Sequence, residues 1–169
     1  GGALVMNAGA YGSEMKNVLV DAVLLTKDGS EIRRTGEELE LGYRISNIPT
    51  EGLTVLEAEF RLQPGDKTEI LRVMNDLAAK RREKQPLEYP SAGSTFKRPE
   101  GYFAGKLIDD AGLRGFQVGG AQVSEKHCGF VINRNQATAA DVEELCHQVA
   151  EKVKEQSGVD LEMEIKRLG

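Results

Sequence analysis

The sequence predicts an α+β fold built as two consecutive parts, and three observations carry that expectation. Apolar, β-rich runs cluster in the first third of the chain, helical periodicity dominates three later segments, and the two kinds of element do not alternate as strict βαβ units. The chain has 169 residues, 40% hydrophobic and 29% charged, which is globular composition. A chain of this length buries roughly 70% of the surface its unfolded form exposes, so its core needs neither disulfides nor a structural metal. Lys and Arg number 22 against 27 Asp and Glu, and the basic residues are scattered. The basic stripe of a nucleic-acid binder is therefore missing. Cys128 and Cys146 lack CxxC spacing and read as reduced thiols of a cytoplasmic protein. No 18-residue apolar run and no signal peptide point to a membrane.

Each element follows from local chemistry. Val18 to Thr26 is an apolar strand, Lys27-Asp28-Gly29-Ser30 a turn, and Glu31 to Thr35 its hairpin partner. Leu53 to Leu62 is a third strand, with Leu53, Val55, Ala58, Phe60 and Leu62 expected on the buried side. Gln63-Pro64-Gly65 breaks the pattern and sets an expected boundary between residues 1–66 and 67–169. Asp66 offers an N-cap with Glu69 three positions on, and Ile70, Val73, Met74 and Leu77 recur at helical spacing up to Lys84. Gln85 to Pro99 holds three prolines and Ser91-Ala92-Gly93-Ser94, so it reads as loop with a short extended piece at Thr95-Phe96. Tyr102 to Ala111 places Phe103, Leu107 and Ala111, with Ala104 and Ile108 beside them, on one helical face before Gly112. Phe116–Val118, Ala121–Val123 and Gly129–Asn133 are short strands. Thr138 caps a third helix with Asp141 at its third position and Val142, Leu145, Cys146, Val149 and Val153 as its stripe up to Gly158. Leu161, Met163 and Ile165 alternate with charged residues in a terminal strand expected over 160–167.

Several familiar sites are absent: GxGxxG opening a helix, GxxxxGK[ST], HExxH and GxSxG. With only His127 and His147 in the chain no His-rich metal site is possible, and no metal is expected. His147 reads as a surface residue and His127 as a structural one. Small residues in Asn7-Ala8-Gly9-Ala10-Tyr11-Gly12 let main-chain N–H groups approach a phosphate or flavin pyrophosphate, although a glycine-rich turn between core strands explains them equally. Arg44 lies in the apolar run Leu41-Gly42-Tyr43-Arg44-Ile45-Ser46, which suits a carboxylate or developing enolate; an ion pair with Glu38 or Glu40 is the plainer alternative. Ser94 follows Gly93 and precedes Thr95-Phe96-Lys97, so it either presents its hydroxyl to a ligand or simply forms a turn. Glu164 falls on the polar side of the terminal strand, facing a cleft or solvent.

At these residues the sequence resembles a known family. Gly1-Gly2-Ala3 through Gly12, Leu41 to Ser46, Lys84-Gln85-Pro86-Leu87-Glu88-Tyr89-Pro90-Ser91-Ala92-Gly93-Ser94-Thr95-Phe96-Lys97-Arg98-Pro99, and Ala104 to Ile108 follow in the order of UDP-N-acetylenolpyruvoylglucosamine reductases. Gly119 to Ser124, Gly129 to Asn133 and Leu161 to Ile165 continue it, so the resemblance covers nearly the whole chain. Gln-Pro-Leu-Glu-Tyr-Pro-Ser is similar to the shorter branch, which lacks an extra substrate-closing loop. The resemblance implies an FAD-dependent enzyme using NADPH to reduce the enolpyruvyl ether of a UDP-sugar in peptidoglycan precursor synthesis. It implies three catalytic roles: Arg44 stabilising the substrate carboxylate and enolate, Glu164 assisting, and Ser94 donating the proton. Asn7, Ala8, Gly9, Ala10, Tyr11 and Gly12 match the flavin-binding segment, and Tyr43, Arg81, Lys84 and Lys97 match substrate-contact positions. Many relatives carry Asn where Arg98 stands here, which leaves Arg98 as a candidate for the diphosphate.

The chain opens on Gly1-Gly2 without an initiator Met. Against the family pattern this implies a missing N-terminal FAD-binding segment. Residues 1–66 then correspond to the latter part of the FAD-binding domain and residues 67–169 to the substrate-binding domain, closed by the strand over 160–167. The competing expectation is a non-catalytic nucleotide-sugar binding module that uses Lys67 to Gly169 without flavin.

Overall fold

The computed structural model describes residues 1–168 and places them in two units, Gly1–Asp66 and a second that begins at Lys67. In the first unit a single helical turn, α1 (Gly2–Val5), leads into the two-residue strands β1 (Gly9–Ala10) and β2 (Ser13–Glu14), which pair antiparallel. A 3-10 turn over Met15–Asn17 follows, closed by reciprocal bonds between Glu14 and Asn17. The apolar run then forms β3 (Leu19–Leu25), and Asp28 bonds back to Thr26 and Ser30 to shape the turn into β4 (Glu31–Thr35). The third strand is β5 (Thr54–Phe60), and the sheet order is β4-β3-β5, antiparallel throughout.

Ala22 and Leu24 of β3 are fully buried and pack with Leu4, Leu39 and Ile48. Two register shifts interrupt the β3–β5 pairing, between Leu19 and Asp21 and between Val23 and Leu24. Each shift adds a residue to one strand and changes which face the following side chains take. The expectation that Phe60 and Leu62 share the buried side with Val55 and Ala58 is accordingly corrected. Phe60, at the end of the paired stretch, is 42% exposed, and Leu62 beyond it is 72% exposed.

The second unit begins with α2 (Lys67–Lys84), whose surface carries the Glu69–Arg72–Asp76 ion-pair series. The apolar stripe predicted for this helix forms, but none of its residues is buried, and Ile70, Val73 and Met74 are all exposed. Next comes β6 (Ser91–Ser94), where the sequence reading expects only loop. Its main chain pairs with a later strand, and Gly93 at φ +93° absorbs the irregularity, so the residues of a turn serve here as a bulged strand. The helix α3 (Ala104–Asp110) ends before Gly112 at φ +70°, and β7 (Gln117–Val118), β8 (Ala121–Val123) and β9 (Phe130–Asn133) complete an antiparallel sheet of order β6-β9-β8-β7.

The long helix α4 (Ala139–Ser157) packs on this sheet beside α3. Thr138 and Asp141 cap it reciprocally, and Gly158 closes it in the left-handed conformation. Leu145, Cys146, Val149 and Val153 are buried together with Phe96, Ile108, Leu113 and Val123. Phe103, expected on the buried face of α3, is instead 60% exposed, because it precedes the first helical residue and lies beneath the Arg98 guanidinium, 3.9 Å from its ring centre.

The strand expected over 160–167 is also corrected. That segment makes a single bridge, Met163 to Phe96, flanked by Lys97 N–H to Glu162 O and Glu164 N–H to Thr95 O, each 2.8 Å. Its partner edge is short: Pro99, which has no N–H to donate, lies two residues beyond Lys97. Among the described residues no helix is long and apolar enough to cross a membrane.

Candidate functional site

In the first unit the glycine-rich segment and the arginine turn are joined by one side chain. Asn7 is 2% exposed, and its amide donates to Glu14 and to the Gly42 carbonyl at 3.1 Å while its oxygen accepts the Lys16 N–H at 2.9 Å. The amide is thus committed inside the protein, and what Asn7 offers a ligand is main chain. At the hairpin tip Tyr11 and Gly12 both have positive φ, 53° and 82°, and Tyr11 is 60% exposed. An αL tyrosine is sterically costly, and it keeps the two-residue turn of β1–β2 tight. Main-chain groups at such a tip are open to a phosphate-bearing ligand.

Arg44 sits in the tight turn from Gly42 to Ile45, whose main chains exchange hydrogen bonds of 3.0 and 3.4 Å. Arg44 itself has φ +57°. A Cβ on Gly42 would stand 2.8 Å from the Ile45 side chain, so any larger residue there must push that side chain aside. The Arg44 guanidinium lies 5.3 Å from the Tyr43 ring centre, and Tyr43 is 59% exposed. The turn is fixed from behind: the buried Ser46 hydroxyl donates to the Val5 carbonyl at 2.7 Å. Glu38, an alternative partner for Arg44, accepts from the Thr35 N–H and hydroxyl, and these bonds hold its carboxyl below its ordinary pKa.

In the second unit Ser94 is an exposed residue at the end of β6, opposite Phe130 of β9. The chain end runs past the same edge, with Glu164 N–H donating to the carbonyl of Thr95, the residue after Ser94. The backbones carrying Ser94 and Glu164 are therefore neighbours although 70 positions separate the two residues. Lys97 is ion-paired with Glu162. Beside β6 lies a cavity of about 210 Å³ lined by Arg81, Gln85, Leu87, Tyr89, Gly93 and Phe130, among others. Arg81 enters it from α2 with its Nε donating to Gln85 at 3.1 Å, and the Arg134 guanidinium stands 4.6 Å over the Tyr89 ring. Lys84 is the last residue of α2. The end of that helix is tied to the β8–β9 turn by Lys126 Nζ, which donates to the Arg82 carbonyl at 2.9 Å.

The structure thus groups Asn7 with the Arg44 turn in one unit, and Ser94, Lys97, Glu164 and the Arg81 cavity in the other. Arg98, considered for the diphosphate, has its Nε donating to the Tyr102 carbonyl and its guanidinium stacked on Phe103. Sequence reasoning missed Tyr89, Lys126 and Thr95. Tyr89-Pro90 carries an aromatic beside a turn signal, but nothing in its spacing links it to Arg81. His127 accepts the Gly129 N–H on Nδ1 at 3.0 Å and meets Phe130 edge-on, so it shapes the β8–β9 turn. Burial pushes the Cys146 thiol up to about 11, and it raises Cys128 as well. Among the described residues no group of three His, Cys, Asp or Glu side chains is placed to hold a metal ion.

Comparison with known proteins adds an independent line. Residues 85–168 match the family model described as UDP-N-acetylenolpyruvoylglucosamine reductase, C-terminal domain. All 169 residues align at 64% identity with the UDP-N-acetylenolpyruvoylglucosamine reductase of Agathobacter rectalis and at 59% with that of Lachnoclostridium phytofermentans, covering 54% of each. The chain thus spans about half the length of the curated relatives it matches. The crystal structure of UDP-N-acetylenolpyruvylglucosamine reductase from Thermus caldophilus superposes with a TM-score of 0.84 at 38% identity, over 99% of this chain and 60% of that one. Motif order, sequence identity and fold agree over the whole described length, and the chain belongs to the UDP-N-acetylenolpyruvoylglucosamine reductase family.

Proposed function

We propose that this chain supplies the substrate-side machinery of an FAD-dependent reductase that uses NADPH to convert UDP-N-acetylenolpyruvoylglucosamine to UDP-N-acetylmuramate, a cytoplasmic step of peptidoglycan precursor synthesis. The observation that carries the reading is the 2.8 Å bond from Glu164 N–H to the Thr95 carbonyl, which hangs one candidate catalytic segment on the strand end that presents the other, Ser94, beside the Arg81 cavity.

The flavin, when bound and reduced by NADPH, supplies hydride to the terminal carbon of the enolpyruvyl group. Negative charge then develops on the neighbouring carbon and its carboxylate. Arg44, held on a tight turn, neutralises that charge, and Glu164 assists that stabilisation. Ser94 delivers the proton to the carbon. A serine hydroxyl is a weak acid, so its work depends on placement against a strongly basic carbanion rather than on its pKa. Arg81 and Lys84 suit the diphosphate and Tyr43 the sugar nucleotide. Lys97 joins them: its partner Glu162 has a 71% exposed side chain, and an ion pair that open to water is weak enough to be exchanged for a ligand anion.

For the flavin, the fit lies in the Gly9–Gly12 tip, where a Cβ on Gly12 would meet nothing within 4 Å. Ala8, Gly9, Ala10, Tyr11 and Gly12 offer main chain there, while Asn7 holds the tip against the Arg44 turn. The remaining flavin contacts come from polypeptide beyond these 169 residues.

The test uses the flavin-loaded enzyme containing this chain. Ser94→Ala leaves reduction of the flavin by NADPH intact and slows its reoxidation by the enolpyruvyl substrate by about 10²-fold or more. Unimpaired reoxidation removes Ser94 from the mechanism. A protein that binds the UDP-sugar but never takes up flavin is instead a nucleotide-sugar binding module.

A further inference from the structure

The pairing of β6 with β9 contains one residue too many. Ser91 faces Ile132 and Ser94 faces Phe130, so three steps on β6 run against two on β9. Gly93 takes up the excess at φ +93°. An extra residue of this kind is left outside the regular pairing and locally disrupts the ladder. On the β6 side of β9 the Asn133 N–H reaches the Pro90 carbonyl at 2.8 Å, and the Gly129 carbonyl receives the Thr95 N–H at 2.9 Å. Between them lies the Val131 N–H. Besides facing the β6 main chain, it donates to a side chain, the Thr95 hydroxyl, at 2.9 Å and in a fully buried setting. Thr95 is 2% exposed and Val131 7% exposed.

Thr95 therefore makes three buried connections at once. Its hydroxyl and its N–H fix it to β9 on both sides of Phe130, and its carbonyl accepts the Glu164 N–H. Ser94 is the residue caught between the bulge glycine and this anchor. We infer that Thr95 is a positioning residue: its buried hydroxyl, tied to the Val131 N–H beside the bulge, sets where the Ser94 hydroxyl sits relative to the Glu164 segment. Thr95 touches no reacting atom in this account, and the inference rests on the proton-donor role proposed for Ser94. A hydrophobic residue of the same shape fills the space but removes the buried hydroxyl that ties Thr95 to the Val131 N–H, and loss of that bond lets the bulge shift.

Thr95→Val and Thr95→Ser in the flavin-loaded enzyme test it. Thr95→Val slows flavin reoxidation by the enolpyruvyl substrate about 10-fold or more, since displacements below 1 Å are costly at a reacting centre. Flavin reduction by NADPH and the dissociation constant of the UDP-sugar substrate stay within about 2-fold, and Thr95→Ser, which keeps the acceptor, recovers the reoxidation rate. If Thr95→Val does not accumulate as folded protein, Thr95→Ala removes the same acceptor without the misplaced methyl, and the comparison with Thr95→Ser stands. A Thr95→Val or Thr95→Ala enzyme that melts earlier but reoxidises at the wild-type rate per bound flavin shows a merely structural threonine and overturns the inference. A wild-type enzyme whose reduced flavin is not reoxidised by this substrate overturns the functional reading itself, and the inference with it. A slowed Ser94→Ala enzyme beside an unslowed Thr95→Val enzyme leaves that reading standing and removes only Thr95.

Discussion

The Glu164 N–H donates to the Thr95 carbonyl at 2.8 Å, and this main-chain bond separates what Glu164 does for the fold from the chemistry proposed for its carboxylate. Any substitution that keeps the N–H keeps the tie. Glu164→Gln is therefore expected to stay within about 0.5 kcal/mol of the parent stability, while substrate-dependent flavin reoxidation falls. Glu164→Pro deletes the donor and lowers stability by about 1 kcal/mol or more. Urea midpoints set beside stopped-flow reoxidation rates separate the two effects, and a Gln variant that loses stability as Pro does would assign Glu164 a structural role alone.

Asn7 links the glycine-rich segment to the Arg44 turn through three bonds made by one buried amide. Asn7→Ala leaves the Lys16 N–H without its acceptor and the Gly42 carbonyl with only the long Ile45 N–H bond, and it places alanine at φ +43°. The expected loss is about 1–3 kcal/mol, read as a shifted denaturation midpoint. Asn7→Asp keeps the acceptor for Lys16 N–H but sets a carboxylate beside Glu14, so it is expected to rescue poorly at neutral pH.

Gly120 approaches the loop before α4 so closely that a Cβ would stand 2.1 Å from the Asn135 carbonyl oxygen and 2.5 Å from the Ala137 nitrogen. Both obstacles are backbone and cannot rotate away. Gly120→Ala is expected to destabilise the second unit by about 1–3 kcal/mol or more, whereas Gly2→Ala, which meets nothing within 4 Å, is expected to be nearly neutral. Thermal melts of the two variants make the comparison.

The cap of α4 gives a pH dependence of definite sign. Asp141 accepts main-chain N–H groups of Thr138 and Gly120, and these bonds hold its carboxyl below the ordinary value. A depressed folded pKa contributes stability that is present above the unfolded value, about 3.9, and is lost as pH falls through the folded one. The stability difference between wild type and Asp141→Asn is thus expected to be largest near neutral pH and to shrink on acidification below about pH 4. Denaturant titrations along that pH series check it; a difference that grows on acidification contradicts the assignment.

Much of this architecture was legible from residues that act locally. Thr138 with Asp141, the stripe from Leu145 to Val153, and the hairpin about Lys27 to Ser30 specify their own elements, because caps, helical spacing and turn chemistry are satisfied within a few positions. The family was legible from its ordered motifs. Illegible were features set by distant partners. Ser91 to Ser94 reads as a turn and becomes a strand because β9 supplies its ladder. The segment over 160–167 alternates like a strand yet finds only the short edge from Thr95 to Lys97. Phe60 and Leu62 leave the core through register shifts that no single strand encodes. Ser94, Arg44 and Glu164 stood out as candidates through resemblance to a family. The Thr95 hydroxyl did not, since its role exists only once Val131 lies opposite a bulge.

The most direct test of the central claim is a mass measurement on the sugar nucleotide after incubation with NADPH and the flavin-loaded enzyme that contains this chain. The account predicts that UDP-N-acetylenolpyruvoylglucosamine gains two hydrogens as NADPH is consumed in equal amount, and that Ser94→Ala blocks the gain while its flavin is still reduced. An unchanged sugar nucleotide beside flavin that NADPH does reduce would contradict it.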